Sequence, residues 1–383
     1  METSRRGVLL DSGATEETLP ELLLYTDNAF AGDGLEPPAD YPLADEPHLA
    51  AWEAYREEGL RIGVLETLRA RLVQLRFPVR EGMSADPGYL AATRFGRADA
   101  ADAFTPGLVL EQPDGLDLTL WQTAAGRIPV LVVPNRADFV ALVQALTSRN
   151  EPEPVPPAMG ACIVSKLNNW DRVARHRAQW EARLGATADS DAWRAEFQDL
   201  VRHPELYQDR FIVLGRQPYS AVPASDVGLD QDDWLDRSLT IRREHEFFHY
   251  FTYRVFGSAR NNLHDELIAD FVGMLAAFGR YSADLALRFL GLETFPRARL
   301  DGRLEVYRGD PPLSEPAMTV VRRLAHDAIL NLEDLSHRHD DELRERGWRT
   351  RLTLALAAAD LTELASPDMV ERVDHLLARQ AAV

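Results

Sequence analysis

A short run of this sequence carries side chains whose types and spacing suit metal chemistry. Residues 243–249 read Arg-Glu-His-Glu-Phe-Phe-His. His245 and His249 are four apart, so on a helix they share one face and can offer ring nitrogens to one ion. Glu246 is turned one position around that helix. There it can serve as general base on a water at the ion without being a ligand itself. Further on, His264-Asp265-Glu266-Leu267-Ile268-Ala269-Asp270 places Glu266 and Asp270 at the same spacing. A catalytic zinc site takes three protein ligands and keeps one position open, which makes Glu266 the candidate third ligand. Asp270, one turn later, can accept a hydrogen bond from a ligating histidine and fix its tautomer. The chain has a single cysteine, Cys162, so a cysteine-ligated zinc site and an intramolecular disulfide are both excluded, and Zn²⁺ here would be held by histidine and carboxylate.

H-E-x-x-H on one helix followed by E-x-x-x-D on the next resembles the zincin metallopeptidases of the gluzincin type. The resemblance covers residues 245–270. It implies His245, His249 and Glu266 as metal ligands, Glu246 as base, Asp270 behind a ligand, Zn²⁺ as cofactor, and a peptide or protein as substrate. Sixteen residues separate His249 from Glu266, tighter than in the thermolysin-like and aminopeptidase-like patterns, so Asp270, Asp265 or His264 could take the place of Glu266. Two other functions stay open. One is a zinc-binding or helical interaction protein without catalysis. The other is a metal phosphohydrolase of the HD type, drawn from the His-Asp pairs at 264, 326 and 339. The competing reading of the motif itself is a solvated stripe of Glu244, His245 and His249 beside Arg242 and Arg243.

The elements that must position these residues can be read from periodicity. Residues 238–256 read as a helix, apolar on more than one side, with Gly257 as its stop and Asn261 or Asn262 capping a second helix that runs to about Phe278. Upstream, Leu116–Thr123 and Ile128–Val133 flank a turn at Ala124–Arg127 and read as a hairpin. Asn135 caps a helix to Thr147. Strands are expected at Ala161–Leu167 and Arg210–Leu214, with helices near 170–185 and 190–202. Tyr207–Gly215 is a candidate edge strand for pairing with an extended peptide. Residues 218–236 read as an acidic loop that would favour basic substrates if it lay beside the site. Residues 49–76 show helical spacing ended by Pro78, 79–115 read as loop, and 313–383 read as helical. The expected fold class is α+β: a small mixed sheet, a zincin-like active-site helix pair, and a helical C-terminal region. The expected segments are an acidic arm and helical region at 1–110, a metal-binding α+β domain at 111–300, and a helical region at 301–383.

Composition narrows the function classes. The chain of 383 residues carries a formal charge of −19, which disfavours a nucleic-acid partner. Residues 1–60 hold 14 acids against 3 bases, so most of that charge falls on a Pro- and Gly-rich arm (Pro37, Pro38, Pro42, Pro47) that reads as a solubilising or docking segment. No apolar run reaches a membrane span, and the lone cysteine suits a reducing cytoplasm. Lys166 is the only lysine. No Gly-rich phosphate loop and no G-x-S-x-G elbow occurs. His337-Arg338-His339-Asp340-Asp341 reads as a solvated helix face, Asn169 as a helix cap beside a packing Trp170, and Cys162 as buried and inert.

Overall fold

The computed structural model describes residues 2–28, 30, 40–185, 190–258, 262–300 and 302–381. The chain is a mixed α+β protein that divides into two compact units. It begins in the first unit with helices α1 (Glu2–Asp11) and α2 (Leu19–Tyr25). It then builds the second unit, residues 42–217, from α3 (Leu49–Ile62), α4 (Val64–Arg71), α5 (Pro87–Phe95), strands β1 (Asp117–Thr123) and β2 (Gly126–Val133), α6 (Arg136–Thr147), β3 (Ala161–Asn168), α7 (Trp170–Leu184), α8 (Ser190–Leu200) and β4 (Gln208–Gly215). It returns to the first unit through α9 (Ala224–Val227), α10 (Gln231–Phe256), α11 (Leu263–Phe278), α12 (Ala283–Leu290), α13 (Glu315–Arg338), α14 (Arg346–Ala358), α15 (Leu361–Leu364) and α16 (Met369–Ala381).

This division corrects the expected segments. The sheet and the motif helices, grouped together at 111–300, belong to different units with separate cores. Helices α10 and α11 bury Ile241, Phe248, Leu267 and Phe271 in one cluster with Val321 and Leu324 of α13 and Leu356 of α14. The sheet buries Leu131, Val133, Phe211 and Val213 with Trp52 and Tyr55 of α3 and Phe139 of α6. Within the acidic arm, helices α1 and α2 pack into the first unit. Leu9, Leu19 and Leu22 sit in the first unit's core, Arg5 pairs with Asp27 at 3.3 Å, and the Tyr25 hydroxyl donates to the Tyr307 carbonyl at 2.7 Å. Pro37 and Pro38 lie outside the described residues.

The sheet has order β1-β2-β4-β3, with β2 and β4 parallel and the other pairs antiparallel. The expected hairpin forms β1 and β2, and Asn135 caps α6 by accepting from Asp138 N at 2.8 Å. Strand β4 is central, bonded on both sides, so the expected edge strand at 207–215 has no free edge to offer a peptide. The segment 79–115 also departs from a loop. Asp86 accepts from Gly88 N at 2.8 Å and Tyr89 N at 3.4 Å, so Asp86-Pro87-Gly88 starts helix α5 instead of making a turn. Cys162 is half-buried on β3 rather than enclosed.

Helix α10 starts seven residues earlier than its periodicity indicates. Asp230 accepts from Asp233 N at 2.9 Å, and Asp232 and Asp233 lie in the first turn, where carboxylates favour the positive end of the helix dipole. The acidic loop expected at 218–236 is therefore in part a helix start. Gly257, at φ 69°, ends α10 in the left-handed conformation, and Asn262 caps α11 by accepting from His264 N at 2.8 Å. Asn261 lies outside the described residues. Among the described residues no helix is long and apolar enough to cross a membrane.

Candidate metal centre

Helices α10 and α11 run antiparallel across a short connection. Ile241 faces Gly273, His245 faces Asp270, and His249 faces Glu266. The close approach depends on Gly273: a Cβ there would lie 2.7 Å from the Ile241 carbonyl oxygen. That contact lets the two four-residue spacings, each on its own helix, meet across the interface.

The result is a triangle of donors. His245 Nε2 and His249 Nε2 are 3.1 Å apart, and the Glu266 carboxylate spans both, with Oε2 3.4 Å from His245 Nε2 and Oε1 3.4 Å from His249 Nε2. Tetrahedral zinc with bonds of about 2.0–2.1 Å separates its ligands by about 3.3–3.4 Å, so the donor set fits such an ion. His245, His249, Glu266 and Glu246 are 7, 5, 5 and 8% exposed, which rules out the solvated stripe. Among the described residues His245, His249 and Glu266 form the one group of His, Cys, Asp and Glu able to hold a metal. His264 and Asp265 are buried but outside it, and the other two His-Asp pairs of the HD alternative, at 326 and 339, are outside it and not buried. His326 faces Asp327 at 2.9 Å, and His339 pairs with Asp374 at 2.7 Å.

Asp270 takes the place expected of it. Its Oδ1 lies 2.9 Å from His245 Nδ1, which sets the proton on Nδ1 and frees the Nε2 lone pair for the cluster. Three residues that sequence spacing did not single out complete the setting. Tyr219 OH donates to Asp270 Oδ1 at 2.5 Å and lies 3.1 Å from His245 Nδ1. Arg303 pairs with the other Asp270 oxygen and donates to Tyr219 OH at 3.0 Å. Tyr307 OH donates to Glu266 Oε2 at 2.7 Å. These three come from two 3₁₀ turns, Tyr219–Ala221 and Arg303–Tyr307, at separations that no helical or strand periodicity encodes.

The electrostatics follow from burial and pairing. Burial disfavours charge on His245, but Glu266 and Asp270 outweigh it and push its pKa up to about 10. Burial likewise opposes ionisation of Glu266, yet the two histidines hold its carboxyl well below the usual carboxylate range. For Asp270, Arg303 and His245 overcome the same penalty. Glu246 behaves differently. Burial pushes its pKa up, and no hydrogen bond among the described residues engages its carboxylate.

A buried His-His-carboxylate group that could hold a metal ion, on a helix pair of an α+β chain, defines the class of protein. The chain belongs to a family of unknown function (DUF7005), whose model matches residues 7–368. No curated protein and no solved structure matches it.

Proposed function

We propose that this protein is a zinc-dependent hydrolase that cleaves peptide bonds. The observation that carries the reading is the donor triangle of His245, His249 and Glu266 beside a Glu246 that no hydrogen bond occupies. The order H-E-x-x-H then E-x-x-x-D, on two antiparallel helices, supports a gluzincin-like arrangement.

Zn²⁺ held by such a donor set supplies a Lewis acid and brings the pKa of water to about 7. The chain's own groups do the rest. His245 and His249 would present Nε2 to the ion, and Asp270, itself held by Tyr219 and Arg303, keeps a His245 proton on Nδ1. Tyr307 orients the Glu266 carboxylate. Glu246, with its raised pKa, takes a proton from the attacking water and returns it to the leaving amine.

The enclosure of all four side chains favours one further reading, a zinc site without turnover. A water in the fourth position marks a catalytic site and a fourth protein ligand a structural one. Glu246→Gln separates the two. For a hydrolase it keeps zinc and abolishes cleavage of a fluorogenic peptide library. Zinc retention with no peptide cleavage by the wild type would leave only the site without turnover.

A further inference from the structure

The 42–217 unit contains a cleft of about 480 Å³, on residues that play no part in the proposed metal chemistry. Its lining includes Arg94 on α5, Arg149 just after α6, Lys166 on β3, and Gln74 in the 3₁₀ turn Val73–Arg76. Three cations facing one cleft stand out in a chain of charge −19 whose only lysine is one of them. Among the described residues no hydrogen bond or ion pair engages Arg94, Arg149 or Lys166, whereas Arg71, Arg127 and Arg172 each bond a carboxylate. The acid two residues after Arg149, Glu151, makes no ion pair with it: its two oxygens accept from Ser84 N at 2.6 Å and Gly82 N at 2.9 Å, and the nearby Arg149 charge adds to the hydrogen bonds that hold its carboxyl below the ordinary range.

The backbone is bent to present two of these cations. Arg149 and Lys166 have φ of 53° and 58°, in the left-handed region that side-chain-bearing residues avoid. Such residues persist where their surroundings over-determine them, and they cluster at functional sites. The surroundings constrain both residues. Asn150, following Arg149, locks its segment by donating to the carbonyls of Gln74 at 3.1 Å and Phe77 at 3.0 Å. Lys166 sits where the β3–β4 register breaks between Val164 and Leu167, a bulge of the kind that re-aims a side chain.

Gln74 adds a separate requirement. It is 5% exposed, its Nε2 donates to the Asn168 carbonyl at 3.1 Å, and its Oε1 has no partner among the described residues. The Asn168 carbonyl fixes the amide orientation, because the reverse would set two acceptors together. A buried acceptor without a donor is unfavourable until something supplies one.

We propose that this cleft binds a small molecule combining a multiply charged anionic group, met by Arg94, Arg149 and Lys166, with a hydroxyl that donates to Gln74: a sugar phosphate. The volume falls in the range of about 300–1,000 Å³ usual for small-molecule sites. The inference is independent of the metal reading.

The test is calorimetric titration of the full chain at low ionic strength with glucose 6-phosphate, inorganic phosphate and glucose. Glucose 6-phosphate should bind one to one and at least tenfold more tightly than phosphate, with glucose silent. Lys166→Gln and Arg149→Gln should each weaken glucose 6-phosphate at least tenfold, and Lys166→Arg should restore most of the affinity. Lys166→Gly relieves the left-handed backbone, so it should keep or raise the melting temperature while losing the ligand, which separates recognition from folding. Gln74→Met should bring glucose 6-phosphate down to the affinity of phosphate. Because Lys166 is the only lysine, bound ligand should also slow its acylation by an amine-reactive ester, read by mass spectrometry. The proposal is overturned if neither phosphate nor glucose 6-phosphate binds at millimolar concentration, or if binding survives replacement of all three cations by glutamine. Equal affinity for phosphate and glucose 6-phosphate would overturn the role given to Gln74.

Discussion

Gly273→Ala tests whether the helix contact builds the metal site. In an exposed helix this change stabilises by about 1 kcal/mol through propensity. Here the new Cβ would meet the Ile241 carbonyl at 2.7 Å, against the 3.4 Å at which ordinary contact begins, so α11 must move about 0.7 Å. Overpacking of this kind costs about 1–3 kcal/mol. For a unit of about 200 residues that lowers the melting temperature by about 2–12 °C. If α11 pivots near its N-terminus, the displacement scales with distance along the helix at 1.5 Å per residue. Glu266 then moves about 0.25 Å, at the edge of the ±0.2 Å that metal sites tolerate. Asp270 moves about 0.5 Å, which stretches its 2.9 Å bond to His245 beyond a good hydrogen bond. Loss of such support typically weakens metal binding about 10–100-fold. Thermal unfolding of the metal-free protein and zinc competition against a chromogenic chelator read the two effects. A variant as stable as the wild type or more so, with unchanged zinc affinity, would refute the reasoning.

Further predictions follow from the same contacts. Asp270→Asn should weaken zinc about 10–100-fold by chelator competition and lower the melting temperature, because the neutral amide offers a single, weaker acceptor oxygen and sets its NH2 against either Arg303 or the Tyr219–His245 side. In the metal-free protein His245 has its pKa raised to about 10 from an ordinary 6.5, so its charged form stabilises the fold fully below about pH 6.5 and that contribution is lost as pH rises through about 10. Zinc needs the neutral ring, so its affinity should rise about tenfold per pH unit between pH 6.5 and 8 with one proton released, measurable by titration in buffers of different ionisation enthalpy. In the other unit Asp209, 1% exposed, binds Arg172 at 2.8 Å, Trp52 Nε1 at 2.8 Å and Asn169 at 2.7 Å. Asp209→Ala should cost about 3–5 kcal/mol in urea unfolding, since it strands a buried guanidinium.

The sequence made some of this legible and hid the rest for physical reasons. Local rules carried far: the cap at Asn135, the hairpin, the stop at Gly257 and the four-residue spacings all depend on neighbours in the chain. The early start of α10 was missed because Asp230, Asp232 and Asp233 read equally well as an acidic loop, and only the cap geometry distinguishes them. The two-unit division was hidden because α1 and α2 join a core built more than two hundred residues later, a pairing that no local pattern announces. Tyr219, Arg303 and Tyr307 escaped for the same reason. The one sequence signal near them was a polar residue in an irregular segment, which is common everywhere. Gly273 sits unmarked inside an apolar helix, and its role emerges only from the backbone it touches.

The central claim is the metal held by His245, His249 and Glu266. Elemental analysis of the purified full chain, after dialysis against a weak chelator, tests it most directly. The account predicts about one zinc per chain in the wild type and in Glu246→Gln, and none in His245→Ala/His249→Ala. Stoichiometric zinc in that double variant, or none in a wild type dialysed against excess zinc, would contradict it.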